Sequence, residues 1–139
     1  MEISEALEFI RQRHQGVLAT LRGDGRPQLS NITYAVDDGV ITVSITDSRA
    51  KTRNLRRDAR ASLHVTRSDF WAYCVLDCDA ELMPVAADPN DATVDALVDY
   101  YREANGEHPD WDDYRQAMVT DQRLALRLRP THAYGMLGR

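Results

Sequence analysis

The sequence predicts a mainly β domain of the α+β class, in which antiparallel strands form a closed barrel or a sandwich beside a few helices. Three observations support this prediction. Apolar residues alternate with polar ones in several short runs, turn residues separate neighbouring runs, and one helical segment only, 88–105, is long. The chain of 139 residues is long enough for one domain with a core and too short to suggest two.

The first half of the chain reads as a helix followed by three antiparallel strands. Segment 3–14 has apolar side chains at helical spacing. Two β-rich runs, 17–22 and 26–36, flank the sequence GDGR, in which Asp24-Gly25 is typical of a hairpin turn. The turn DDG then leads into a third strand over 40–46.

The second half alternates between helices and strands. A short basic helix over about 49–57 precedes two strands, 60–67 and 71–85. Helix 88–105 begins near a proline, ends at a glycine and is expected to cover one end of the barrel. A further helix follows at DWDDYRQAMVT, and two last strands, RLALRLRP and THAYGML, are expected to be separated at Pro130.

The overall composition points to an ordinary soluble protein, with 43% hydrophobic and 28% charged residues. No apolar run approaches the roughly 20 residues of a membrane helix. The segment MEISEALEFIRQRH is acidic and does not look like a secretory signal. We therefore expect a cytoplasmic location and no membrane partner. Cys74 and Cys78 are too far apart along a strand for a disulfide, so we expect two buried thiols.

Positive charge is concentrated in one segment of an acidic chain. The net charge is −5, yet residues 49–60 hold six basic side chains against the single acid Asp58. A nucleic-acid-binding protein is more often basic overall. The concentrated patch therefore favours a small anionic ligand and argues against nucleic acid as the partner.

The start of the short basic helix is the best candidate for an anion site. Ser48 stands in the capping position, and Arg49, Lys51 and Asn54 add side-chain donors to the free N–H groups of a helix start, which bind phosphate readily. Cations at this end of a helix are unfavourable unless something negative lies nearby. The alternative is a solvated basic helix that pairs with the protein's own acids. Further arginines, at 53, 56 and 57, extend the patch.

Polar side chains on the second strand form a second candidate surface. Gln28 and Ser30 point to the same side, and Ser44 on the third strand is expected to lie across from them. Such groups can read the edge of a heterocycle, or they can belong to an exposed outer face. Trp71 can stack on a planar ligand, join the core or form a subunit contact. The four histidines show no metal-binding spacing, so we expect no metal.

Three segments together resemble the split β-barrel oxidoreductases related to pyridoxamine 5′-phosphate oxidase. They are VLATLRGDGRPQLSNITY, VSITDSRAKTRNLRRDARAS and DWDDYRQAMVTDQR. The similarity is greatest to the actinobacterial branch that binds the deazaflavin coenzyme F420. The resemblance implies a single split-barrel domain over 1–139, and a homodimer with the cofactor in a groove between subunits.

The resemblance also implies the cofactor site, which includes Trp71 from the partner subunit. The implied cofactor-binding residues are Gln28, Ser30, Asn31, Ser44, Ile45, Arg49, Lys51, Asn54 and Trp71. The implied reaction is hydride transfer from reduced F420 to a small conjugated acceptor, such as an enone, a quinone or a tetrapyrrole. No residue stands out as the proton donor, so the catalytic residues are left unassigned. Alternatives are an FMN-binding enzyme of the pyridoxamine 5′-phosphate oxidase type, a non-catalytic F420 carrier and a heme-handling protein.

Overall fold

The computed structural model describes residues 1–138 and shows seven strands and four helices. Within these residues, none of the helices combines the length and the apolarity that crossing a lipid bilayer requires. The elements in chain order are α1 (Ile3–Arg11), β1 (Gln15–Leu21), β2 (Pro27–Thr33), β3 (Ala35–Asp37), β4 (Val40–Thr46), α2 (Ala50–Arg57), β5 (Arg60–Thr66), β6 (Tyr73–Leu82), α3 (Ala92–Asn105), α4 (Trp111–Thr120) and β7 (Arg123–Met136).

All seven strands belong to one antiparallel sheet in the order β2-β1-β5-β6-β7-β4-β3. The sheet curls into a half-barrel, which confirms the predicted split-barrel fold of the α+β class. Alternate residues of the strands point inward, as the period of two requires. Leucines at 18, 63, 76, 124, 126 and 128 thereby form the centre of the core. Both cysteines are buried in that core as free thiols.

The run predicted as one strand over 26–36 is two strands, and that part of the prediction was wrong. β2 pairs with β1, whereas β3 pairs with β4 at the other end of the sheet. The chain changes partners at Tyr34, whose buried hydroxyl donates a hydrogen bond to the carbonyl oxygen of Ile10 at 2.7 Å. The strand break puts β2 and β3 at opposite edges of the sheet.

Helix α1, and not the long helix α3, packs against the barrel core. Ala6 and Ile10 of α1 are fully buried in that core. The apolar residues of α3 instead meet Tyr114 and Met118 of α4 and Ala125 of β7 in a second cluster. The expectation that segment 88–105 covers a barrel end was therefore wrong, because the neighbouring helix α4 offers that apolar stripe a separate partner.

Pro130 does not divide the last strand, contrary to the prediction. β7 pairs with β4 only as far as Leu128, so one edge of the strand is free at Pro130 and its missing N–H is tolerated there. The pairing with β6 shifts register between Asp77 and Cys78. Thr131 lies at this bulge, where its hydroxyl donates to the carbonyl oxygen of Asp77 at 3.2 Å.

Candidate functional site

A groove of about 570 Å³ lies between the edges of β2 and β4. β3 pairs with β4 only over Val40–Thr42, so Ser44–Thr46 faces the groove from one side, and Asn31–Thr33 of β2 faces it from the other. The third wall consists of side chains from α3 and α4, namely Tyr100, Tyr101, Asn105, Tyr114 and Met118. Because strand edges carry backbone groups outside the ladder, this groove offers hydrogen-bonding groups to a flat ligand.

Tyr100 of α3 bonds to the edge of β2. Its hydroxyl donates to the carbonyl oxygen of Thr33 at 3.0 Å. Burial raises the pKa of Tyr100, while the charge of Arg123 and a hydrogen bond from the backbone N–H of Ser44 act in the opposite direction. The phenol therefore stays protonated and able to donate this bond to β2.

Three cations, Arg49, Lys51 and Arg123, line the groove next to the start of α2, and we call them the groove cations. Arg49 is the N-cap residue of α2, Lys51 lies in the first turn of that helix, and Arg123 opens β7 directly opposite Thr46 in the strand register. Among residues 1–138, no carboxylate lies within ion-pair distance of any of the three. The cluster therefore carries unneutralised positive charge.

The electrostatics of the groove cations are unfavourable without an anion. Burial lowers the pKa of Lys51, and the charges of Arg49 and Arg123 lower it further. The Nε of Arg123 is buried and finds no hydrogen-bond partner in the described part of the chain. A bound anion would relieve both the repulsion and the unpaired donor.

The helix start itself adds to the positive potential. Arg49, and not Ser48, is the N-cap residue, and no side chain of the described residues caps the helix. The turn that ends with the bond from the N–H of Arg49 to the carbonyl oxygen of Thr46 leaves Ser48 outside the helix. Expecting Ser48 as the cap was therefore wrong. The first N–H groups of α2 remain available beside the groove cations, as in phosphate sites at helix starts.

The remaining arginines of the basic segment contact the chain itself. Arg56 pairs with Asp47 at 2.6 Å, and Arg60 pairs with Asp58 at 2.8 Å. Arg57 donates to the carbonyl oxygen of Leu21. Arg53 likewise donates to a backbone carbonyl, that of residue 48. The positive charge that lines the groove thus comes from the three groove cations.

Asn54 and Gln28, both predicted to bind the cofactor, lie together and contact each other. The amide nitrogen of Asn54 donates to Oε1 of Gln28 at 2.7 Å and to the buried hydroxyl of Thr20 at 3.1 Å. Its oxygen accepts from Arg57 at 3.0 Å. This network fastens α2 to β1 and β2, and it places the helix start at the groove. Ser30 shares the Gln28 face of β2 and does not line the groove.

Trp71 lies in the exposed turn between β5 and β6, outside the groove of its own chain. Trp71 is 77% exposed, and the neighbouring Phe70 is 80% exposed. The turn is held by Asp69, whose Oδ1 accepts from the backbone N–H of Trp71 at 3.0 Å and from Nε of Arg67 at 2.9 Å. Two large aromatic side chains are therefore presented to the surroundings on a fixed support.

Of the nine predicted cofactor-binding residues, the structure brings five to the groove. They are Asn31, Ser44, Ile45, Arg49 and Lys51, although the side chain of Ile45 is buried in the barrel core. Arg123 and Tyr100 were missed. Arg123 alternates with leucines as any strand residue does, so only the pairing of β4 with β7 reveals that it meets the start of α2.

The sequence model of the pyridoxamine 5′-phosphate oxidase family matches residues 3–137. Among solved structures, a conserved hypothetical protein from Mycobacterium tuberculosis is 24% identical with a TM-score of 0.76, covering 99% of this chain and 85% of that one. A protein described as an F420 reductase is 26% identical with a TM-score of 0.68, covering 92% and 94%. A heme storage protein from Vibrio cholerae shares the fold at 17% identity with a TM-score of 0.71, covering 99% and 98%.

Proposed function

The chain belongs to the pyridoxamine 5′-phosphate oxidase family, and we propose that it is an oxidoreductase that uses reduced coenzyme F420 to reduce a small conjugated acceptor. One observation carries the proposal. In the part of the chain that the structure describes, three cations without counter-charges lie beside an uncapped helix start, at a groove bordered by two strand edges. The similarity to a protein described as an F420 reductase supports the choice of coenzyme.

The groove fits a flat ring that carries a phosphate-containing tail. In our proposal, Arg49 and Lys51 bind the phosphate together with Arg123. The β4 residues Ser44 and Ile45 contact the ring edge from one side, and Asn31 contacts it from the other. When bound, the reduced coenzyme supplies the two electrons that pass to the acceptor as a hydride. The chain's own contribution is to orient the ring and exclude water from it.

The other predicted site residues take supporting roles in this proposal. Asn54 and Gln28 hold α2 in place through their mutual hydrogen bond. Ser30 stays a predicted contact, on the same strand face as Gln28. Trp71 covers the groove of a second copy, because it is exposed and does not line the groove of its own chain.

The homodimer of this proposal uses the outer face of the sheet, where three large apolar side chains are exposed. Leu29 of β2 lies on the same outer face as Tyr134 and Met136 of β7, as the strand registers show, and all three are exposed. The aromatic pair Phe70 and Trp71 is also exposed, in the turn that precedes β6. Exposed apolar patches of this kind are typical of interfaces. We propose a second copy of the chain as the occupant, and light scattering after gel filtration should give twice the chain mass.

FMN is the main alternative cofactor. A compact cluster of three cations also suits a phosphate monoester. Arg53, Arg56 and Arg57, which were expected to extend the patch, contact the chain itself. Fluorescence titration of the purified protein with F420 and with FMN decides between them. We expect F420 to bind much more tightly, and equal or stronger FMN binding would overturn the choice of F420.

A turnover assay distinguishes an enzyme from a non-catalytic F420 carrier. Reduced F420 is mixed with the protein and with a panel of enones, quinones and tetrapyrroles, and its reoxidation is followed by absorbance. We expect at least one class to be reduced faster than in the absence of protein. Tight F420 binding with no turnover on any acceptor would instead establish a carrier.

A further inference from the structure

A second cleft, of about 1010 Å³, adjoins the groove, and we propose that it binds an acceptor that carries a carboxylate. It lies beyond the end of α1 and is bordered by the start of β1 and the end of β5. The segment Asn31–Thr33, with Asn105, lines both the groove and this cleft. We call it the acceptor cleft, and its role as an acceptor site rests on the proposed function.

Two arginines, Arg13 and Arg67, line the acceptor cleft, and no acidic side chain of the described residues does. Arg67 pairs with Asp69 at 2.9 Å, whereas no carboxylate of residues 1–138 lies within ion-pair distance of Arg13. Because a guanidinium keeps its charge at every ordinary pH, Arg13 gives the cleft a net positive charge across the working range. The size of the cleft, at the upper end of small-molecule sites, suits an extended ligand, and the two arginines suit an anionic end on that ligand.

Both guanidinium groups are held in position and keep donors free. Nη1 of Arg13 donates to the carbonyl oxygen of Phe9 at 2.7 Å, and the guanidinium lies 4.1 Å from the centre of the Phe9 ring. Nε of Arg67 donates to Asp69 at 2.9 Å. One edge of each group is thus fixed by the protein, and the other edge can grip a carboxylate without a large loss of side-chain freedom.

The segment Asn31–Thr33, which lines both the groove and the acceptor cleft, determines where the reacting part of the acceptor lies. A conjugated ring placed against Asn31–Thr33 borders the groove, where the cofactor ring is proposed to bind, and its carboxylate side chain extends toward Arg13 and Arg67. The carboxylate takes no part in the bonds that change. It fixes the position of the acceptor, so removing its charge weakens binding of the acceptor and leaves cofactor binding unaffected.

Isothermal titration with a matched pair of probes tests this inference without turnover. The probes are a naphthoquinone that carries a propanoate side chain and the methyl ester of the same compound, added to protein saturated with oxidised F420. We expect the acid to bind about tenfold more tightly than the ester, the size of one charge-assisted hydrogen bond. Equal affinities would overturn the proposal.

Substitutions in the acceptor cleft show which residues cause the preference for the acid over the ester. Arg13→Gln and Arg67→Gln are each expected to lose most of the preference for the acid. F420 titration of Arg13→Gln should give the wild-type affinity, because Arg13 lies outside the groove and outside the turn that carries Trp71. Arg11→Gln is the matched control, since Arg11 is exposed, pairs with Glu8 at 2.7 Å and does not line the cleft. A preference that survives both of the first two substitutions would contradict the assignment.

The outcomes for this cleft and for the proposed function can be told apart. If the wild-type protein fails to bind F420, the proposed function fails. The acid and the ester are then compared on the ligand-free protein, where the Arg13 and Arg67 variants still show whether the two arginines bind the carboxylate. Thermal unfolding of each variant shows whether Arg13, with its bond to Phe9, is also needed for folding. Arg67 lies in a surface turn and provides the test if the Arg13 variant is unfolded.

Discussion

Replacing Lys51 by alanine removes the groove cation whose pKa is lowered by the charges of the other two. Burial of Lys51 limits screening by solvent, so its bond to a phosphate is expected to contribute about 1.5–3 kcal/mol. This range corresponds to a loss of roughly ten- to 150-fold in F420 affinity. Fluorescence titration of F420 measures the dissociation constant directly, at fixed ionic strength because the groove potential is screened by salt.

The matched control for Lys51 is Arg60→Ala. Arg60 belongs to the same basic segment, but its side chain is 75% exposed and pairs with Asp58. Its removal changes the net charge by the same amount and should change F420 affinity by less than about threefold, the scale of an exposed charge. Equal losses for the two variants would show that F420 responds to the overall field of the protein, and the reasoning about the groove would be refuted.

The remaining predictions concern the other parts of the site. Arg123→Gln should weaken F420 binding by about tenfold or more with an unchanged circular dichroism spectrum, because it removes the charge and keeps a polar side chain. Asn54→Ala should lower the free energy of unfolding in urea by about 1–3 kcal/mol, since the oxygen of Gln28 loses its donor. Met136→Arg should shift the mass in light scattering from dimer to monomer, whereas an unchanged mass would exclude that face. F420 affinity should fall as the pH rises toward 10.5, because the pKa of Lys51 lies below that value in the free protein and only the charged amine binds phosphate.

The lowered pKa of Lys51 also affects the stability of the ligand-free protein. In the folded, ligand-free protein the pKa of Lys51 is lowered, so the unfolded chain binds its proton more tightly, and the charged form disfavours folding. Lys51→Met should therefore leave the melting temperature of the ligand-free protein unchanged or raise it, although binding is lost. Binding sites often carry such a cost in stability.

Local patterns in the sequence were sufficient for much of the fold. The hairpin at Asp24-Gly25 is present, with Gly25 at a positive φ of 86°. The break at Tyr34 was not predictable from alternation, because the strand residues on both sides keep their β pattern. They differ only in the strand with which they pair, β1 for β2 and β4 for β3. Pro130 misled for the opposite reason. A proline usually marks the end of a strand, but the edge of β7 that faces β4 is unpaired at Pro130, so the strand continues through it.

Some residues of the candidate site were likewise predictable from local sequence patterns, and others were not. Arg49 and Lys51 were predicted because cations at a helix start are unusual in themselves, which is a local signal. Arg123 and Tyr100 carry no such signal, since each becomes a groove residue only when β7 and α3 are placed beside β4. Residues that act through tertiary neighbours are therefore the ones that sequence reasoning missed.

A crystal structure of the protein with F420 tests the central claim most directly. The account predicts the phosphate within hydrogen-bond distance of Lys51, Arg49 and the first N–H groups of α2, with Arg123 on its other side. The ring should lie between the edges of β2 and β4. A phosphate bound elsewhere, with the groove cations left without an anion, would contradict the account.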